Sequence, residues 1–144
     1  AALVGLRARW IAEDPQRDEL LARVAEPIAE LQKLADRDAA GYTRTALLVN
    51  RSFTESLSNR WLRATLASLM LQTSRYTRLA LASAEHRRYS ARQWRALFNA
   101  IRAGNGDRAE KIAAALSQAT RDEAIRSLEK TSAGTAARRK KAAA

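Results

Sequence analysis

The chain has 144 residues, 47% of them hydrophobic, with no cysteine, one histidine and a formal net charge of +11. That length suits one domain with a real core, and the missing cysteines exclude a disulfide framework and a thiolate metal site. No apolar run approaches the roughly 20 residues of a membrane span and the first residues lack a signal-peptide pattern, so the expectation is a soluble, cytoplasmic protein with no membrane partner.

Ala1 to Glu13 reads as an apolar helix carrying Leu3, Leu6 and Trp10, beginning without a cap or preceding loop, as a cut end would. Asp14 is expected to cap a second helix with Pro15 at its first position, a buried stripe of Leu20, Leu21, Val24, Ile28, Leu31 and Leu34, and a kink at Pro27. The Asp36 to Gly41 region turns into a third helix running to about Ser58, and Asn59 caps a fourth. These two helices anchor the reading. Ala46, Asn50, Phe53 and Leu57 recur at helical spacing in one, and Leu62, Leu66, Leu69, Thr73 and Tyr76 in the other. A polar Asn50 on an inward stripe must find a hydrogen-bond partner, either another side chain or something bound between the helices.

Glu85 to Tyr89 reads as a polar loop holding His86 between Glu85 and two arginines. Ser90 with Gln93 suggests the capping box of a fifth helix whose inward face is Trp94, Leu97, Phe98 and Ile101, ended by Gly104 to Gly106. Asp107 with Glu110 is expected to open a sixth, carried by Ile112, Leu116, Ala119, Ile125 and Leu128 to about Lys130. No strand pattern occurs, and residues 131–144, with the run Arg138, Arg139, Lys140 and Lys141, read as a disordered basic tail.

The charge excess is uneven: net −1 over residues 1–50, +7 over 51–100 and +5 over 101–144. Most arginines are scattered along helices rather than interleaved with aromatics, which is the pattern of a solvated face. Catalysis is weakly supported. One histidine builds no histidine metal cluster, there is no glycine-rich phosphate loop, and no pair of carboxylates faces inward. His86 beside two arginines reads as an exposed loop residue rather than a base.

The segment RSFTESLSNRWL (51–62) fits, without a gap, an A-L-A-E-A-S-G-N-P-L-L pattern that follows a D-x-x-F-H helix. SARQWRALFNAIRAG (90–104) keeps the spacing of S-x-x-E-H-x-x-I-x-x-A-I-x-x-G-D. With the six-helix order, the chain resembles the C-terminal ligand-binding (FCD) domain of GntR-superfamily, FadR-type bacterial transcription regulators. The resemblance implies an all-α, antiparallel bundle of about six helices. Many relatives hold a divalent metal through an aspartate and three histidines; in this register those positions are Ala46, Asn50, Trp94 and Gln118, or Leu116 without a two-residue shift near Asn105 and Gly106. None is a ligand of the expected kind, so no metal and no cofactor are expected.

Two readings of the pocket stay open: Trp94 fills it as core beside Phe53 and Phe98, or Asn50, Thr54, Gln72, Arg75, Tyr76, Trp94 and Gln118 line a metal-free cavity where an arginine, Arg75 or Arg78, holds an anion. The domain reading is a bundle over 1–130 that binds an effector and dimerises, and a tail over 131–144; a winged helix-turn-helix is expected to lie outside this chain. The function implied is a homodimeric, non-enzymatic sensor of a small anionic metabolite, such as a carboxylate, that reaches DNA through that N-terminal domain. The alternative is a structural or nucleic-acid-associated bundle using its basic surface directly.

Overall fold

The computed structural model describes residues 1–144 as six helices with no strand: α1 (Ala2–Glu13), α2 (Arg17–Leu34), α3 (Ala39–Glu55), α4 (Arg60–Ala80), α5 (Ala84–Arg102) and α6 (Gly106–Ala143). Links of three or four residues join them; α2 folds back on α3 and α5 on α6, while α1 packs chiefly along α6 and α2 also along α5. Four starts are fixed by side chains that accept an N-terminal N–H: Asp38 from Gly41, Asn59 from Leu62, Ser83 from His86 and Asn105 from Arg108. The α5–α6 turn does two jobs in three residues. Gly104, at φ 70°, lets its N–H reach the Ile101 carbonyl and the Asn105 N–H reach that of Ala100, and Asn105 then caps α6.

Several boundaries differ from the sequence reading. The Asp14 carboxylate accepts from the Gln16 N–H within a turn, and α2 starts only at Arg17. Asn105, not Asp107, caps α6; Asp107 and Glu110 instead hold the Arg9 guanidinium and so tie α1 to α6. α5 begins at Ala84 rather than after Ser90, because Ser83 offers a cap about two turns earlier. The expected disordered tail is helix through Ala143. Its residues from Leu128 onward are all exposed, so packing does not hold it. The helix is already nucleated by residues 106–127, each further residue adds without a new nucleus, and Thr131 and Thr135 return hydrogen bonds to the preceding turn.

The core lies where α1, α2, α3, α5 and α6 meet: Leu31, Tyr42, Val49 and Ile101 are wholly buried. The stripe expected on α2 is the one observed, with Leu34 only partly covered. α1 differs. Leu3 and Trp10 are exposed, and its buried face is Gly5, Arg7, Ala8, Ile11 and Ala12. Small residues let α1 press onto α6, so closely that a Cβ on Gly5 would stand 3.1 Å from the Glu110 carbonyl oxygen.

Candidate functional site

The helix α4 stands apart from this core. Two of its 21 residues are buried, against eight of the 19 in α5. The stripe Leu66, Leu69, Thr73 and Tyr76 is on one face, as the spacing requires, but only Leu66 is buried. Beneath the others lies a cavity of about 890 Å³. Across from α4 the walls are small side chains, Ala46, Ser90, Ala113, Ser117 and Ala124, which leave the volume open. A concave, largely apolar space of this size with a few polar groups on its walls is the candidate site.

At the wall formed by α1 and α3 sits Arg7, only 2% exposed. Its Nη1 donates to the Thr54 hydroxyl at 2.9 Å and to the Asn50 carbonyl at 3.3 Å, and its guanidinium carbon lies 5.7 Å from the centre of the Phe53 ring. Its buried Nε has no partner. Burial lowers the guanidinium pKa to about 10, so the charge persists at neutral pH at a desolvation cost that no acidic side chain offsets. The cavity lining holds a second arginine, the exposed Arg121, and neither aspartate nor glutamate.

The expected site residues divide into three groups. Asn50, Tyr76, Trp94 and Gln118 line the cavity. Thr54 is buried behind it and orients Arg7. Gln72 and Arg75 are exposed on α4 and line no part of it, and Arg78 is exposed as well. The cation of the cavity comes instead from α1, where Arg7 follows Val4 by three residues and precedes Ile11 by four. An arginine on an apolar face carries the same signal as Asn50 on α3.

Trp94 is buried and stacked on Phe53, with centroids 5.4 Å apart and planes 13° from parallel. It therefore packs as core, yet the cavity remains beside it. The donor set does not fit a divalent cation. Ala46 offers no ligand atom, the Trp94 indole only an N–H, Leu116 none, and Gln118 is exposed with its amide donating to Asp122 at 3.0 Å. A buried guanidinium in the same space would also repel a cation.

Two residues read as an exposed loop are buried in the first turns of α5. An Nε2 hydrogen bond of 3.1 Å links His86 to the Thr120 hydroxyl, on a residue that lines the cavity from α6. Burial lowers the His86 pKa, partly opposed by Glu123 and reinforced by Arg126. Arg87 donates to the carbonyls of Ala35, Leu81 and Ala82 at 2.7 to 2.9 Å. Those carbonyls belong to the C-terminal ends of α2 and α4, where a cation is favoured.

A family model described as the FCD domain matches residues 2–119. No curated protein and no solved structure matches the chain.

Proposed function

This chain belongs to the FCD domain family, and on that premise we propose that it is the effector-sensing part of a GntR-type transcription regulator whose cavity takes an anionic metabolite without a metal. The family is regulatory and ligand-binding rather than catalytic. One observation carries the finer reading: the cavity contains two arginines, one of them buried with an unpartnered Nε, and no carboxylate of the chain's own. An anion entering it would complete the hydrogen bonding of Arg7 and offset its desolvation. Asn50 and Tyr76 add polar groups beside it.

Signalling would run through the arrangement of the helices, with an effector favouring one of two arrangements of a dimer. Self-association is supported by apolar side chains left in water on α3 and α4, Leu48, Trp61 at 86% exposure and Leu71 at 80%. DNA contact in this reading would fall to a separate winged helix-turn-helix domain. No helix here is long and apolar enough to cross a membrane.

The test is a thermal-shift screen of carboxylates and sugar acids. A ligand at a hundred times its Kd should stabilise the fold by about 2.7 kcal/mol, and Arg7→Met should abolish the effect. If no anion stabilises the parent protein, the sensing assignment fails. A second reading, direct contact with nucleic acid, is favoured by the exposed end of α6 with Arg138, Arg139, Lys140 and Lys141. It calls for tight, sequence-specific binding by this chain at physiological salt; weak binding that fades with salt is the outcome expected here.

A further inference from the structure

We infer that the overhanging end of α6 is a helical arm for duplex DNA, on which Arg138, Arg139, Lys140 and Lys141 neutralise backbone phosphates without reading the sequence. The arm lies beyond the matched segment 2–119. It is independent of the cavity, and it shares with the nucleic-acid reading above the place of contact but not the specificity.

The four cations differ from the rest of the surface in having nothing to offset them. Elsewhere Arg9 meets Asp107 and Glu110, Arg51 meets Glu55, Arg88 meets Asp36 and Arg126 meets Glu123. On the arm the last acidic residue is Glu129, nine positions before Arg138, so no carboxylate falls within the three- or four-residue reach of a helical ion pair. Arg138 and Lys141, three residues apart, instead repel one another. A helix C-terminus favours a cation or two; four in succession call for an external polyanion.

The geometry selects duplex DNA among polyanions. Successive helical residues turn by about 100°, so four consecutive cations circle the helix instead of sharing one face. They supply one charge per about 1.5 Å of rise, close to the one phosphate per about 1.7 Å of a duplex. Thr131 to Ala137 are all Thr, Ser, Ala or Gly, which keeps the arm slim enough for a major groove about 12 Å wide, with phosphates on both walls. A lipid surface would meet one side of the ring only, and residues 129–143 offer no Leu, Ile, Val, Met or aromatic side chain to insert. Neither Asn nor Gln stands on the arm to bond base edges.

Fluorescence anisotropy of a labelled 20-base-pair duplex, titrated with the whole chain from 50 to 200 mM NaCl, tests this. Four phosphates neutralised give a log–log salt slope of about −3.6, a loss of about a hundredfold in affinity over that range. The combined change Arg138→Gln, Arg139→Gln, Lys140→Gln and Lys141→Gln should remove most of the slope and weaken binding at least about tenfold at 50 mM. Removing the same charge from the exposed Arg60, Arg75, Arg78 and Arg92 should weaken it less than about threefold. All eight positions are exposed, so circular dichroism should find both variants as helical as the parent.

Equal losses in the two variants would overturn the arm and leave only diffuse attraction to a basic surface. Tighter binding to a single strand of the same length would overturn the groove seating. Tighter capture by phosphatidylserine vesicles than by the duplex, lost in the first variant, would make the arm a membrane contact and overturn the assignment to DNA. None of these outcomes bears on whether an anion binds at Arg7.

Discussion

The bundle has two sides built to different rules. Around Leu31, Tyr42, Val49 and Ile101, helices α2, α3 and α5 close completely, stitched by Gln32 donating to the Ala91 carbonyl at 2.6 Å and by the three carbonyl contacts of Arg87. Across the molecule α4 carries an equally regular stripe, yet that stripe looks onto open volume with an unpaired guanidinium in its far wall. The lesson is that an amphipathic face states which way a helix turns, not whether anything meets it. What meets it depends on the side-chain volumes of other helices. Small residues at Ala46, Ala113 and Ala124 leave the gap, and their effect is legible only once α3 and α6 are placed opposite α4.

Trp94 is the wall between the two sides, and breaking it should have the largest effect. Trp94→Ala removes a buried ring stacked on Phe53 and should cost about 3–5 kcal/mol in urea denaturation. Leu69→Ala, on the cavity rim, should cost less than about 1 kcal/mol by the same measurement, since its side chain is exposed. Equal losses would mean that the two sides pack alike. Arg87→Leu comes next: it strands the Ala35, Leu81 and Ala82 carbonyls at two helix ends and should cost about 2–4 kcal/mol.

Arg7→Met has the opposite sign. It replaces an uncompensated buried charge, so the unliganded fold should hold its stability or gain about 1–3 kcal/mol. A clear loss would show that Arg7 belongs to the packed side.

The smallest effect is one of pH. The folded His86 has a pKa below its ordinary 6.5, so as pH falls from about 7 the unfolded chain takes up a proton that the folded chain refuses. Melting temperature should therefore decline through this window and level off once the folded imidazole also protonates. His86→Gln should flatten the decline, and an unchanged slope would remove His86 from the account.

Much of the fold is legible in the sequence: six helices, the turn over Asp36 to Gly41, the cap Asn59, the Gly104 stop and the buried stripe of α2. Asn50 on an inward face did mark the cavity wall. The arginines are not legible in the same way, for a physical reason. Whether a guanidinium is solvated or buried depends on which carbonyls or rings stand opposite, and for Arg87 and Arg7 those partners lie on other helices. Arg75 and Arg78 look no different in the sequence and are exposed. The Glu85 to Tyr89 segment reads as a loop because its polar residues hide a helical pattern in which Arg87 counts as an inward residue.

The turn count of α6 has a mechanical consequence. The same rod that walls the cavity at Leu116 and Leu128 runs on, free of neighbours, to Ala143, an overhang of about 22 Å at 1.5 Å per residue. A lever of that length turns a tilt of about 5° at the cavity into a sweep of about 2 Å at its tip. The four cations near that tip would move as a unit, so a reporter attached at Arg139 would register small rearrangements around the cavity that are hard to see at the cavity itself.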